Sequence, residues 1–173
     1  MMFKNKKIQI INNKQIKGFT IVELLIYMGL LAGFLVIITE LFASIMDVKL
    51  ESNATSSVEQ DGRYILTRLA YDIPKSSSIT TPTSLGNTSS SLVLVVSGVT
   101  YTYSLVGSNL QLVNNLGTNN LNTSESGISN ISFQKIGNVG GKETIKLNFT
   151  VTSSTIRNSG PEVRTFSTTI GRR

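Results

Sequence analysis

The first pattern along the chain is an unbroken apolar run near its N-terminus. Residues 19–38 read FTIVELLIYMGLLAGFLVII, and Glu23 is the one charged position among them. A helix of about 20 residues is about 30 Å long, which matches the hydrocarbon core of a bilayer. The run therefore predicts a transmembrane helix over residues 19–40.

A second pattern continues past this run, where apolar residues recur at the three- and four-residue spacing of an amphipathic helix. Its members are Leu41, Ile45, Val48, Val58, Ile65, Leu66, Leu69 and Ile73. They predict a helical extension over residues 41–73 that ends before Pro74. Residues 52–57, SNATSS, are poor helix formers, and either Ser56 or Ser57 could open a capping box, so the pattern leaves a bend open at this point.

From residue 91 onward the period changes to two, which is typical of strands with one buried face. Two-residue turns, Ser97-Gly98 and Gly107-Ser108, separate the first three alternating segments and indicate a hairpin meander. The alternating segments are 91–96, 99–106, 109–113, 128–136, 144–151 and 162–170.

Two stretches rich in Ser, Thr and Asn, residues 75–90 and 114–127, are predicted as loops and as natural contact surfaces. The whole pattern predicts an α+β fold with a β-sheet domain over residues 74–173. In this fold the long helix packs on a mostly antiparallel sheet of five or six strands.

Composition narrows the chemistry that the chain can perform. It contains no cysteine, histidine or tryptophan, which removes thiol nucleophiles, Cys and His metal ligands and the usual acid–base side chain. The charged residues of the β region are few and scattered, so they nominate no catalytic pair. We therefore predict that the protein is not an enzyme, and we assign it no catalytic residue, cofactor or metal site.

Charge is distributed unevenly about Gly18. The formal net charge is +6, and five of the 16 basic residues precede Gly18 while no acidic residue does. Beyond Gly18 the chain is nearly neutral. Lysines beside an apolar span are retained on the cytoplasmic side of a membrane, so residues 1–18 are predicted as a cytoplasmic leader and the C-terminal domain as extracytoplasmic. The leader lysines are Lys4, Lys6, Lys7, Lys14 and Lys17.

The junction between leader and apolar run, KGFTIVELL from Lys17 to Leu25, resembles the processing site of type IV prepilins. The basic leader, Gly18, the aromatic Phe19 and Glu23 at the fifth position after the cut all fall in register. Residues 60–73, the segment YTYSLVGSNLQLV and the ending FSTTIGRR are similar to minor pilins of the PilW kind and to J-type minor pseudopilins.

The resemblance implies a pilin fold and a defined maturation. A membrane prepilin peptidase would cleave between Gly18 and Phe19, and the new Phe19 amine would be N-methylated. A membrane assembly platform would then move the subunit from the lipid bilayer into a cell-surface or periplasmic filament of other pilins or pseudopilins. Before assembly the protein would be a single-pass cytoplasmic membrane protein.

Glu23 needs a partner, because a carboxylate in a membrane helix costs about 2.5–3.5 kcal/mol on insertion scales. The Phe19 amine of an incoming subunit could neutralise it and set the axial register of a filament. The alternative is that Glu23 stays protonated or reaches the membrane interface. Gly29 and Gly33 form a G-x-x-x-G pair that permits close helix contact or local unwinding, although glycine is also simply common in membrane helices.

Three functions therefore stay open. The first is a structural minor subunit of a type IV pilus, and the second is a J-type pseudopilin of a type II secretion system. The third is an uncleaved, signal-anchored surface domain that binds a ligand. Nucleic acid is a further candidate partner through Arg172 and Arg173, but two charges neutralise few phosphates.

Four charged residues of the helical extension are interpreted as structural. Arg63 and Arg68, with Asp61 and Asp72 nearby, are predicted to form a paired or solvated helix face and its sheet contact rather than a ligand site.

Overall fold

The computed structural model describes residues 18–173, and its first element is a single helix, α1, from Ile21 to Lys75. The helix is continuous through residues 52–57, so the bend that the sequence left open does not form. Pro74 lies in its last turn and Lys75 is its last residue, where a positive charge suits the helix dipole.

The chain divides into two compact units between Ala43 and Ser44. In the first unit every described residue is exposed except Glu23, which is half-buried. By length and composition, α1 is the one helix among residues 18–173 that could cross a membrane.

In the second unit α1 buries one stripe of side chains at helical spacing. The buried residues of the stripe are Ala54, Ser57, Val58, Asp61, Gly62, Ile65, Leu69, Asp72 and Ile73. Leu41, Ile45 and Val48, which the sequence placed in the same amphipathic pattern, are instead exposed. The helix therefore extends beyond the apolar run as expected, but its buried stripe begins at Ala54 and it ends at Lys75 rather than before Pro74.

Nine antiparallel strands follow the helix and form two sheets. Their bounds are β1 Ser76–Thr81, β2 Thr88–Ser89, β3 Leu92–Val96, β4 Val99–Val106, β5 Asn109–Asn114, β6 Gly117–Asn120, β7 Ser126–Ile136, β8 Thr144–Ser153 and β9 Val163–Gly171. One sheet has the order β1-β3-β4-β5-β6 and the other the order β2-β7-β8-β9. The α+β class, with a long N-terminal helix packed on antiparallel sheets, is confirmed.

The two-residue turns were located correctly by the sequence. Val96 pairs with Val99, and Val106 pairs with Asn109, so Ser97-Gly98 and Gly107-Ser108 are the turns of consecutive hairpins. Ser97 and Gly98 both have positive φ, 51° and 82°, as a type I′ turn requires.

The two predicted loops are wrong in part. Residues 76–81 form β1, which pairs with β3 despite two register shifts, and residues 88–89 form the short β2, which pairs with β7. Residues 117–120 form β6, which pairs with β5 through a two-residue turn between Asn114 and Gly117. These strands lack the alternating apolar pattern that the prediction depended on.

One hydrophobic core joins the helix stripe to both sheets. Its largest fully buried side chains include Tyr103 of β4, Phe133 of β7 and Phe149 of β8, together with Ile65 and Leu69 of α1. Burial of this shared core holds the second unit together, because buried apolar area is the main favourable term in folding.

Candidate processing and assembly site

The predicted cleavage bond lies just outside the helix. Gly18, Phe19 and Thr20 are not helical, and the side chain of Phe19 is 75% exposed. The Gly18–Phe19 peptide bond is thus in accessible, non-helical chain immediately before α1 begins. An added Cβ at Gly18 would meet no atom within 4 Å, so the structure does not itself require glycine there.

The start of α1 is fixed by an N-cap at Thr20. The Glu23 amide donates a hydrogen bond to Thr20 Oγ1 at 3.2 Å, and the Leu24 amide donates to the Thr20 carbonyl at 3.1 Å. Thr20 and Glu23 stand at the positions of a capping box, T-x-x-E, and the carboxylate lies in the first turn where the helix dipole favours negative charge. Sequence reasoning began the helix at Phe19 and missed this signal, which residues 20–23 carry.

Phe19, Glu23 and a further residue, Tyr27, lie on one face of the first helical turns. The Tyr27 hydroxyl donates to Glu23 Oε1 at 3.2 Å. The rings of Phe19 and Tyr27 meet edge to face, with centroids 6.2 Å apart and planes at 79°. Tyr27 was not among the residues proposed from the sequence, although its spacing of four from Glu23 could have indicated it.

Gly29 and Gly33 do not join this cluster. At about 100° per residue they lie roughly a third of a turn around the helix from the face that carries Glu23 and Tyr27. An added Cβ at either glycine would meet no atom within 4 Å. The pair is therefore a smooth, open strip on the exposed apolar surface of α1.

The five leader lysines, Lys4, Lys6, Lys7, Lys14 and Lys17, lie outside the described residues.

In the second unit, Asp61 of α1 binds the segment that enters β7. Its Oδ2 accepts hydrogen bonds from the Thr123 amide and hydroxyl, both at 2.9 Å, and from the Ser126 hydroxyl at 2.6 Å. Asp61 is 3% exposed. It forms the sheet contact that was predicted for this group of residues, but its partners are hydroxyl and amide groups rather than an arginine.

Asp72 makes the second buried polar contact between helix and sheet. Its Oδ2 accepts hydrogen bonds from the buried Tyr103 hydroxyl and from Arg68 Nε, the latter at 2.7 Å. Burial, followed by the neighbouring Asp72 carboxylate, raises the pKa of Tyr103 well above its usual range. Tyr103 therefore stays protonated and remains a donor. The predicted pairing along the helix is confirmed for Arg68 and Asp72.

A chain of ion pairs on the surface connects the helix to the segment before β9. Glu162 accepts from Arg157 at 2.9 Å and from Arg164 at 3.0 Å. Arg157 also pairs with Glu51, and Arg164 with Glu59. Hydrogen bonding by Arg164 lowers the pKa of Glu162.

Arg63, which lies on α1, is a further member of this series of ion pairs. It pairs with Glu59 at 2.9 Å, and this hydrogen bond is the main cause that lowers the pKa of Glu59. The predicted paired helix face is therefore present at Arg63 as well.

The C-terminal arginine pair is partly engaged within the domain. Arg172 donates to the Ser77 carbonyl, and its Nε lies 3.6 Å from Glu143 Oε2. Glu143 also holds the buried Lys135 ammonium at 2.6 Å. Arg172 thus has acidic and carbonyl neighbours, which reduces its availability for phosphate groups.

Within residues 18–173, no group of three or more His, Cys, Asp or Glu side chains converges in a way that could hold a metal ion. Two depressions of this part of the surface are lined mainly by polar and charged residues, and a third is lined by Tyr64, Thr67, Arg68 and Tyr71.

The chain was compared with protein-family models, with curated proteins and with solved structures. None of the three comparisons gave a match.

Proposed function

We propose that the protein is a structural minor subunit of a type IV pilus or a pilus-like filament. It is made as a prepilin, cleaved between Gly18 and Phe19, and assembled through the apolar part of its N-terminal helix. In this proposal it is not an enzyme: cleavage and N-methylation are performed on it by other proteins.

The observation that carries the proposal is the apolar surface of α1. All large apolar side chains from Phe19 to Val48 are exposed, while the stripe from Ala54 to Ile73 is buried. A helix that is apolar all round needs lipid or other helices around it. One helix thus offers a lipid- or helix-contacting segment and a segment that belongs to the core of a β domain.

The geometry at the helix start favours assembly over simple anchoring. The Gly18–Phe19 bond is in accessible, non-helical chain, and Glu23 lies within the first turn after it. After cleavage the Phe19 amine and the Glu23 carboxylate would be two opposite charges near one end of an apolar helix. In neighbouring subunits offset along the filament axis, the amine of one subunit would pair with the carboxylate of the next. This pairing would stabilise a single axial register.

The partners follow from this maturation route. A membrane prepilin peptidase and the assembly platform act on the subunit, and other pilins or pseudopilins surround its helix. Before assembly the protein is a single-pass protein of the cytoplasmic membrane with its N-terminus in the cytoplasm. After assembly it belongs to a cell-surface or periplasmic filament.

The N-terminus of the mature protein tests the proposal. We would recover the protein from membranes and from sheared filaments of its native host and identify the first residue by mass spectrometry. We expect N-methylated Phe19 in the wild type and an uncut leader in Gly18→Leu. Gly18→Ala, which keeps a small residue at the cut, is the matched control and should still be processed.

An uncut lysine-rich leader in wild type as well as in Gly18→Leu would contradict the proposal. That result would favour the uncleaved, signal-anchored surface domain. A processed protein that co-purifies with a secretin and other pseudopilins would identify the filament as the J-type pseudopilus of a secretion system.

A further inference from the structure

We propose that Tyr27 is a positioning residue for Glu23, whose carboxyl it holds by a hydrogen bond while the helix lies in lipid. The inference rests on the proposed function, because it concerns the state of Glu23 before a second subunit arrives. It adds a residue to the assembly site that the maturation motif does not contain.

Polar side chains are scarce in this segment of α1. Between residues 21 and 38 the side chains of Glu23 and Tyr27 are the two that carry oxygen or nitrogen atoms. The next hydroxyl along the helix, Thr39 Oγ1, donates to the Leu35 carbonyl at 2.8 Å and is already satisfied. Just before these residues, the Thr20 hydroxyl oxygen accepts from the Glu23 amide, and no hydrogen bond joins it to the Glu23 carboxyl within the described part of the chain. Tyr27 is therefore the side-chain donor that residues 21–38 offer to Glu23.

Glu23 and Tyr27 each need a hydrogen-bond partner inside a bilayer. In hydrocarbon, a carboxyl or hydroxyl group without a hydrogen-bond partner is unfavourable by several kcal/mol. Donation from the Tyr27 hydroxyl to Glu23 Oε1 at 3.2 Å satisfies both groups within one helix. The pair thus needs no second chain to enter the bilayer.

The hydrogen bond from Tyr27 engages one of the two oxygens of the Glu23 carboxyl. Among the described residues Tyr27 contacts Oε1, and Oε2 stays open to a proton or to the amine of another subunit. The edge-to-face contact with Phe19 restrains the Tyr27 ring. Tyr27 therefore holds Glu23 on the same side as Phe19 without occupying the atom that an incoming amine requires.

A double-mutant cycle tests the pair in the native host. We would measure the fraction of the protein recovered in sheared filaments for wild type, Tyr27→Phe, Glu23→Leu, which has no acceptor for the tyrosine hydroxyl, and the double variant. We expect Tyr27→Phe to lower this fraction about threefold to tenfold in the wild-type background and to have little further effect in the Glu23→Leu background. Tyr64→Phe is the matched control, because Tyr64 and Tyr27 are both 52% exposed on α1.

Two results would overturn the inference in this experiment. One is a filament fraction unchanged by Tyr27→Phe. The other is an equal loss in both backgrounds, which would show that Tyr27 acts by packing alone. Mass spectrometry of the N-terminus in the same samples reports whether cleavage still occurs, so a failure of maturation is recognised separately.

A second measurement does not depend on filaments. The full-length chain is placed in vesicles of phosphatidylethanolamine and phosphatidylglycerol, and the infrared band of the Glu23 carboxyl is obtained as the difference between wild type and Glu23→Gln. We expect Tyr27→Phe to move this band, because the carboxyl loses a hydrogen bond. An unmoved band would overturn the inference, even where the proposed function itself fails.

Discussion

The ring of Phe166 in β9 lies against the backbone of Gly62 in α1. A Cβ at Gly62 would stand 2.2–2.7 Å from three carbon atoms of this ring, which is far inside contact distance. Phe149, the cross-strand partner of Phe166 in β8, stacks on a face of this ring, with centroids 5.4 Å apart and planes at 17°. Glycine at residue 62 is therefore what allows β9 to approach the helix.

Gly62→Ala is expected to destabilise the β domain. Alanine is better than glycine in a helix by about 1 kcal/mol, but overpacking of a core costs about 1–3 kcal/mol. Because the tip of the Phe166 ring occupies the space that the new Cβ needs, we expect a net loss of about 1 kcal/mol, measured as chemical unfolding of the full chain in detergent.

The control for this prediction is Gly29→Ala, since an added Cβ at Gly29 meets no atom within 4 Å. It should leave the unfolding transition of the β domain in place. Phe166→Leu should recover part of the loss when it is combined with Gly62→Ala. A Gly62→Ala protein as stable as the wild type would contradict the packing argument.

Asp61→Ala is expected to destabilise the domain more strongly. It removes a buried carboxylate that accepts three hydrogen bonds from Thr123 and Ser126. Loss of charge-assisted bonds that leaves buried donors unpaired costs about 2–4 kcal/mol. Hydrogen exchange should show faster exchange of the Thr123 amide.

Glu125→Gln serves as the control for Asp61, because Glu125 is an exposed acid in the same segment. It should change neither stability nor exchange by a comparable amount. Equal effects of the two substitutions would mean that the net negative charge of this region, rather than the hydrogen bonds to Asp61, stabilises this segment.

Tyr103 is expected to make stability depend on alkaline pH. Burial raises its pKa above the usual value of 10. The stabilisation from keeping the native tyrosine protonated is fully present below pH 10 and is lost as the pH rises toward the folded pKa. Above pH 10 the unfolded chain gains from ionising this residue, at up to about 1.4 kcal/mol per pH unit.

The comparison with Tyr103→Phe isolates this contribution from those of other tyrosines and lysines. The variant lacks the donor to Asp72 and should be about 1–2 kcal/mol less stable at pH 7. The difference between the two proteins should shrink as the pH rises above 10. A constant difference from pH 7 to pH 11 would count against a buried, protonated Tyr103.

Sequence patterns predicted the elements that side-chain periodicity controls. The turn Ser97-Gly98 and the strands on either side were found because glycine and alternating apolar residues mark them. β1 and β6 were missed because their sequences, SSSITT and GTNN, carry no such alternation. Backbone pairing with neighbouring strands determines both of them.

The candidate site could likewise be predicted from the sequence only where its residues form a local pattern. Gly18, Phe19 and Glu23 could be proposed because they form a local motif, whereas the partnership of Glu23 with Tyr27 depends on a side-chain geometry that spacing alone does not fix. Asp61 and Asp72 are charged residues in an amphipathic helix. Their burial depends on donors about 30 or more residues away in the chain, which no local pattern indicates.

Acid is expected to open the segment before β9. Arginine partners lower the pKa of both Glu59 and Glu162 below the usual value of 4.5, with Arg63 as the main cause for Glu59 and Arg164 for Glu162. A lowered folded pKa means that the stabilisation is present above pH 4.5 and is lost as the pH falls through the folded values.

The Ser153 amide, which donates to the Glu162 carbonyl at 2.8 Å, is a local probe of this change. Its protection factor against hydrogen exchange should hold from pH 7 to about pH 4.5 and fall below that, since protonated glutamates no longer attract the arginines. Arg164→Gln should lower the protection already at pH 7 and weaken the acid dependence, because it removes the partner that Glu59 and Glu162 share. Protection that declines well above pH 5 in the wild type would assign the opening to other groups.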